Sequence, residues 1–123
     1  MPTILCLAAL TSSLLDAPLP AAISLVKDNG ALKFCDDDGH SLYVYDRDPA
    51  GRSVCVGQCA REWPSVAAPP DAHQIGDWTP IRRTDGSLQW AYKGKPVYTF
   101  SGDTAAGQTN GAGRGAVWRL LAP

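Results

Sequence analysis

"LYVYDRD" (residues 42–48) returns later in the chain as "VYTFSGD" (residues 97–103). The two stretches lie 55 positions apart, and the offset holds beyond them. Gly39 falls on Gly94, Leu42 on Val97, Tyr43 on Tyr98, Tyr45 on Phe100, Asp48 on Asp103 and Trp63 on Trp118, with no gap. The chain has only 4 tryptophans, and two of them coincide at the spacing that aligns the tyrosines. A match of this kind marks an internal duplication. With a one-residue slip the likeness continues upstream, where "NGALKF" (29–34) resembles "DGSLQW" (85–90). The two repeats therefore cover about 29–68 and 85–123.

Each unit reads as turn, short strand, turn, strand, long loop, tryptophan. Leu88, Trp90 and Tyr92 alternate with Gln89 and Ala91, the period of a half-buried strand. Lys93–Gly94 supplies a tight turn, and residues 97–100 return as the partner strand. Pro96 has no N–H to donate, so it suits the first position of a strand or an edge. The first unit repeats the plan with "LKFC", the wider turn "DDDG" and "SLYVYD". Tyr43 and Tyr45 then share one face of their strand, opposite Leu42, Val44 and Asp46. Tyr98 and Phe100 do the same. The aromatic face of each unit is expected to pack on its duplicate, with Trp63 and Trp118 closing the ends. Asp48 and Asp103 sit just past the strands, placed to accept N–H bonds from the loops that follow. The fold expected is mainly all-β. It is a small single domain of two pseudo-symmetric β-hairpin repeats with long loops, and a short helical turn falls near Glu62 and Trp63.

Composition agrees. At 123 residues one domain is the natural count, and 12 glycines with 10 prolines favour strands and turns over long helices. A net charge of −1 offers no basic surplus for nucleic acid. At the start, "ILCLAAL" is apolar but too short to cross a bilayer, and "TSSLLDAPLPAA" follows it. Residues 1–22 read as a targeting segment and 23–123 as the β-domain, which implies a periplasmic or secreted protein. No Lys or Arg precedes the apolar run, and Cys6 lies inside it, so a lipid-attachment motif is missing.

The phrase Tyr-x-aromatic-x-x-Asp occurs at Tyr43, Tyr45 and Asp48, and again at Tyr98, Phe100 and Asp103. "CVGQCAREWP" and "GDTAAGQTNGAGRGAVW" flank the two copies. Together these resemble the bacterial "secreted repeat of unknown function" family, predicted lipoproteins carrying the Yx(F/W/Y)xxD motif. The resemblance runs from about residue 29 to residue 121. It implies an exported small β-protein associated with the cell envelope and no established activity.

Candidate chemistry is sparse. Cys55 and Cys59 suit a local disulfide worth about 2 kcal/mol. The alternatives are a redox pair, whose cysteines are usually separated by two residues rather than three, and half of a metal site. With His40 or His73 they would make a soft site for copper or zinc. Two surface histidines are the plainer reading. Cys35 is left over, as a buried thiol, a partner of Cys55 or Cys59, or an intermolecular link. "DDDG" with Asp46 and Asp48 offers oxygen ligands for calcium, but a turn accounts for Asp-Gly without one. "NGAGRG" (110–115) lacks the following helix that a phosphate loop needs. Glu62 is the sole glutamate, and no nucleophile elbow is present. The residues thus point to an exported, non-catalytic structural or binding module without a cofactor. The rival is a metal or thiol redox module built on Cys55, Cys59 and a histidine.

Overall fold

The computed structural model of the protein describes residues 17–123. Cys6 and most of the stretch expected to serve targeting (residues 1–22) lie outside the described residues. The elements are β1 (Ile23–Asp28), β2 (Ala31–Asp36), β3 (Tyr43–Tyr45), α1 (Gln58–Glu62), β4 (Trp78–Arg82), β5 (Leu88–Tyr92), β6 (Lys95–Tyr98) and β7 (Trp118–Leu120). A 3-10 turn at Arg114–Ala116 leads into β7. The fold is mostly β, and α1 is the helical turn expected before Trp63.

Two tight turns follow directly from sequence. Asn29 and Gly30 have φ of 53° and 84°, and Lys93 and Gly94 have φ of 50° and 83°. Paired positive φ values define the hairpin turn that matches the natural strand twist. They join β1 to β2 and β5 to β6. Five strands form a sheet in the order β4-β5-β6-β3-β7, and β1 and β2 form a separate pair. A bridge from Cys35 to Ser41 ties that pair to the start of β3.

The duplication is carried into three dimensions. β3 and β6, the two copies of the opening phrase, lie side by side and antiparallel, with Tyr43 opposite Tyr98 and Val44 opposite Val97. A pseudo-two-fold axis therefore passes between them. Backbone bonds repeat across it. Asp46 N donates to Val117 O at 2.8 Å, and Ser101 N to Glu62 O at 2.9 Å. Leu121 N donates to Leu42 O at 2.8 Å, and Val66 N to Val97 O at 2.9 Å. The Cys35–Ser41 bridge matches the Ala91–Pro96 pair.

Each duplicated unit also contains an earlier strand that periodicity alone did not place. β1 pairs Ile23 with Asp36, and β4 pairs Trp78 with Tyr92. β1 begins at Ile23, directly after the stretch expected to serve targeting. β4 carries Pro80, which a strand tolerates at an edge, and β4 is an edge of the sheet.

The sheet separates two cores. Leu42, Val44 and Val97 pack on one face with Ile23, Leu25, Phe34, Trp78 and Trp90. Tyr43, Tyr98, Trp63 and Trp118 pack on the other. Each fully buried ring contributes about 1.5–3 kcal/mol by area. Two expectations are corrected. β5 is buried on both faces, since Gln89 and Ala91 are each 0% exposed. Trp63 and Trp118 do not close the ends of the aromatic layer; they meet at its centre, because each long loop folds back over the axis.

Candidate functional site

The repeat motif converges on that axis. Four rings stack in the order Phe100, Trp63, Trp118, Tyr45. The successive centroid separations are 4.3, 3.7 and 4.3 Å. The two indoles are parallel to within 4°. Tyr43 meets Trp63 edge-on at 5.3 Å, and Tyr98 meets Trp118 edge-on at 5.1 Å. The edge contacts are an arrangement that aromatic quadrupoles prefer. The Arg114 guanidinium covers the outer ring, 4.7 Å from the Phe100 centroid. Glycines admit this stack. A Cβ on Gly102 would come within 2.5 Å of Phe100, and one on Gly111 within 2.6 Å of Trp63. Gly111, in the run at 110–115, is therefore a close approach to the rings.

The polar groups cross between the units. Tyr43 Oη donates to Asp103 Oδ2 at 2.6 Å, and Tyr98 Oη donates to Asp48 Oδ2 at 2.6 Å. Each tyrosine thus bonds the aspartate of the other repeat. The second carboxylate oxygens hold the following loops, with Val54 N on Asp48 Oδ1 and Asn110 N on Asp103 Oδ1, both at 2.8 Å. Burial is the main reason both phenols titrate well above an ordinary tyrosine, and the aspartate partners push the same way. Burial also raises the Asp48 carboxyl, opposed by its bonds to Tyr98 and Val54 and by the charge of Arg83.

Arg83, Ser53 and Gln89 belong to this centre, although in the sequence Arg83 stands out only as half of an Arg-Arg pair. Arg83 Nη1 donates to Ser53 Oγ and Gln89 Oε1, and Nη2 donates to Cys55 O, each at 2.8 Å. Ser53 Oγ lies 2.6 Å from Tyr98 Oη. A guanidinium only donates and a carboxylate only accepts, so the donor order is fixed. It runs from Arg83 through Ser53 and Tyr98 to Asp48, linking a buried cation to a part-buried anion. Gln89 Nε2 completes the network on Val97 O at 2.8 Å. Among the described residues, every buried side-chain N or O has a partner.

The other candidates lie apart. Cys55 and Cys59 form a disulfide, with sulfurs 2.03 Å apart and Cα atoms 5.2 Å apart. Bridged sulfurs are not thiolate ligands, which removes the copper or zinc site built on them. Cys35 is fully buried beside Val26 and bonds to neither; no described cysteine is free. His73 is exposed in its loop. His40 lies near Asp36 and Asp38, with ligand atoms within 4.8 Å of one another. Asp36 Oδ1 there already accepts Asp38 N and His40 N, each at 2.9 Å, which is the turn chemistry of Asp-Gly. Glu62 is exposed at the end of α1.

The geometry therefore assembles Tyr43, Tyr45, Asp48, Trp63, Tyr98, Phe100, Asp103 and Trp118 into one centre and leaves the histidines outside it. The centre is an interlock: its donors, acceptors and ring faces are directed at one another. No curated protein and no solved structure matches the chain. The profile of the family described as "secreted repeat of unknown function" matches residues 26–67 and 79–122, one match per structural unit, and the chain belongs to that family.

Proposed function

We propose that the protein is a non-catalytic module of the bacterial cell envelope, exported to the periplasm or beyond, with a rigid fold that serves binding or structure. The observation that carries this reading is the use made of the motif. Its two tyrosine hydroxyls and two carboxylates, together with the two aligned indoles Trp63 and Trp118, are all spent on holding the repeats together. A motif repeated for that purpose builds a scaffold rather than a reaction centre. The Cys55–Cys59 bridge fits an oxidising compartment, where disulfides form and persist. The family description as secreted agrees with it.

The test is an inventory on natively exported protein. Fractionation with intact-mass measurement should find the chain outside the cytoplasm, beginning near residues 18–24, around the start of β1. Denaturing thiol titration should find Cys55 and Cys59 reactive only after reduction. Elemental analysis should find no stoichiometric copper or zinc. Reduced thiols with one equivalent of metal would replace this reading by the metal module. A cytoplasmic chain retaining Met1 would end the export reading.

A further inference from the structure

One departure from the pseudo-symmetry lies beside β2. In the second unit, the edge of β5 that faces away from β4 is covered, ahead of its pairing with β6, by residues 65–68 of the first unit. Trp90 N donates to Val66 O at 2.9 Å, and Ala68 N donates to Leu88 O at 3.0 Å. Val66 and Ala68 are buried there. In the first unit the counterparts of Leu88 and Trp90 are Leu32 and Phe34, and those of Val66 and Ala68 are Leu121 and Pro123. Leu121 keeps the equivalent bond to the central strand, from its N to Leu42 O. The two bonds to the edge of β2 are missing among the described residues. Pro123 stands where Ala68 donates, and proline has no N–H to give Leu32 O.

A cleft of about 290 Å³ opens in their place. Leu32, Phe34, Leu42, Leu121 and Ala122 line it, and Leu120, 40% exposed, stands at its rim. The Asn29–Gly30 turn makes Asp28–Ala31 the closing pair of the β1–β2 hairpin, so Leu32 and Phe34 direct their backbone groups away from β1. The cleft thus offers an acceptor at Leu32, a donor at Phe34 and an apolar floor. An unpaired strand edge of this kind is a template for another strand.

We propose that this edge binds an extended segment of a partner polypeptide carrying small apolar side chains. The molecule itself supplies the pattern, because Ser65-Val66-Ala67-Ala68 fills the same edge in the other unit. The incoming strand gives an N–H to Leu32 O and a C=O to Phe34 N, two residues apart, and seats its side chains over Leu32 and Leu121. This rests on the binding-module reading and gives it a site. Failure here removes the site, while fractionation and the thiol inventory judge the module reading separately.

The probe is an acetylated peptide copying residues 64–70, Pro-Ser-Val-Ala-Ala-Pro-Pro, titrated into isotope-labelled oxidised protein and followed by amide NMR. Saturable shifts should appear at Leu32, Phe34, Leu121 and Ala122, and the Phe34 amide should become protected from exchange. Methylating the peptide nitrogen that corresponds to Ala68 should weaken binding roughly tenfold, the loss of one hydrogen bond. Equal binding by the methylated peptide, or shifts confined to other surfaces, would overturn the proposal. So would a Phe34 amide already protected in the free protein, which means the chain covers its own edge. Shifts at Leu32 and Phe34 on dilution of the free protein would instead assign the edge to a second copy.

Discussion

The two tyrosine–aspartate crossings perform the same task with different support. Tyr98 and Asp48 end a chain of side-chain donors that begins at Arg83. Tyr43 and Asp103 have no such chain. There the tyrosine oxygen accepts the Gly111 N–H at 3.2 Å, and the backbone of the glycine-rich loop supplies the polarity. Asp103 is buried, 5% exposed, while Asp48 is partly open to solvent. One unit thus anchors its crossing with a buried cation, the other with main chain. Duplication preserved the geometry of the centre and let each half meet its hydrogen-bonding demands from whatever lay nearby.

The ring stack is where the halves should remain equal. Trp63 contacts Trp118, Phe100 and Tyr43, and Trp118 contacts Trp63, Tyr45 and Tyr98. Trp63→Ala and Trp118→Ala should each cost about 3–5 kcal/mol in denaturant unfolding, the range for deleting a large core ring. The double variant should lose less than the sum of the two, because the deleted rings touch each other. Unchanged stability in either single variant would place that indole outside the core. Strictly additive losses would argue that the rings do not form one stack.

The hydroxyls are where the halves should diverge. Tyr43→Phe leaves Asp103 Oδ2 and the Gly111 N–H without their partner in a buried setting, a loss of about 1–3 kcal/mol. Tyr98→Phe leaves Ser53 still bonded to Arg83 and Asp48 able to turn toward water, so it should cost about 1 kcal/mol or less. Thermal or chemical unfolding of both variants reads the difference. A larger loss at Tyr98 would show that the Arg83 chain, rather than burial of the carboxylate, governs the strength of a crossing.

How much of this was legible follows from what repeats. An offset of 55 aligns every residue of the stack, and strand alternation assigns Tyr43 and Tyr45 to one face, so the aromatic core is readable in the amino-acid order alone. The aspartates are half legible. Their bonds to the following loops are local, whereas the bonds to the tyrosines depend on where the axis falls. Arg83, Ser53 and Gln89 are not repeated: under the same alignments their positions are held by Lys27, Gln108 and Lys33. Nothing periodic marks them, and Gln89 resembles an exposed strand residue because only the folded chain reveals a second core beneath it. Pro123 is the opposite case. It is visible in the alignment with Ala68, but its consequence appears only when the edge of β2 is compared with that of β5.

The subtlest contrast lies in the titration of Asp48. Its carboxyl is raised above the ordinary 3.8, with burial outweighing the Tyr98 and Val54 bonds and the Arg83 charge. A raised folded value means that the native protein holds this proton more tightly than the unfolded chain. The stabilisation from Asp48 is then fully present below pH 3.8 and is lost as pH rises through the folded value. That sign is opposite to the acid lability expected of a salt-bridged carboxylate. Carbon-detected NMR of the Asp48 carboxyl should give a midpoint above 3.8. Tyr98→Phe should move it higher still, because it removes a bond that favours the ionised form. Arg83→Met should act in the same direction by removing the cation at the head of the chain. A midpoint at or below 3.8 in the parent protein would mean that charge and hydrogen bonding outweigh burial at Asp48. The Arg83 side of the molecule would then be an electrostatic clamp, and the two crossings would differ in kind rather than in support.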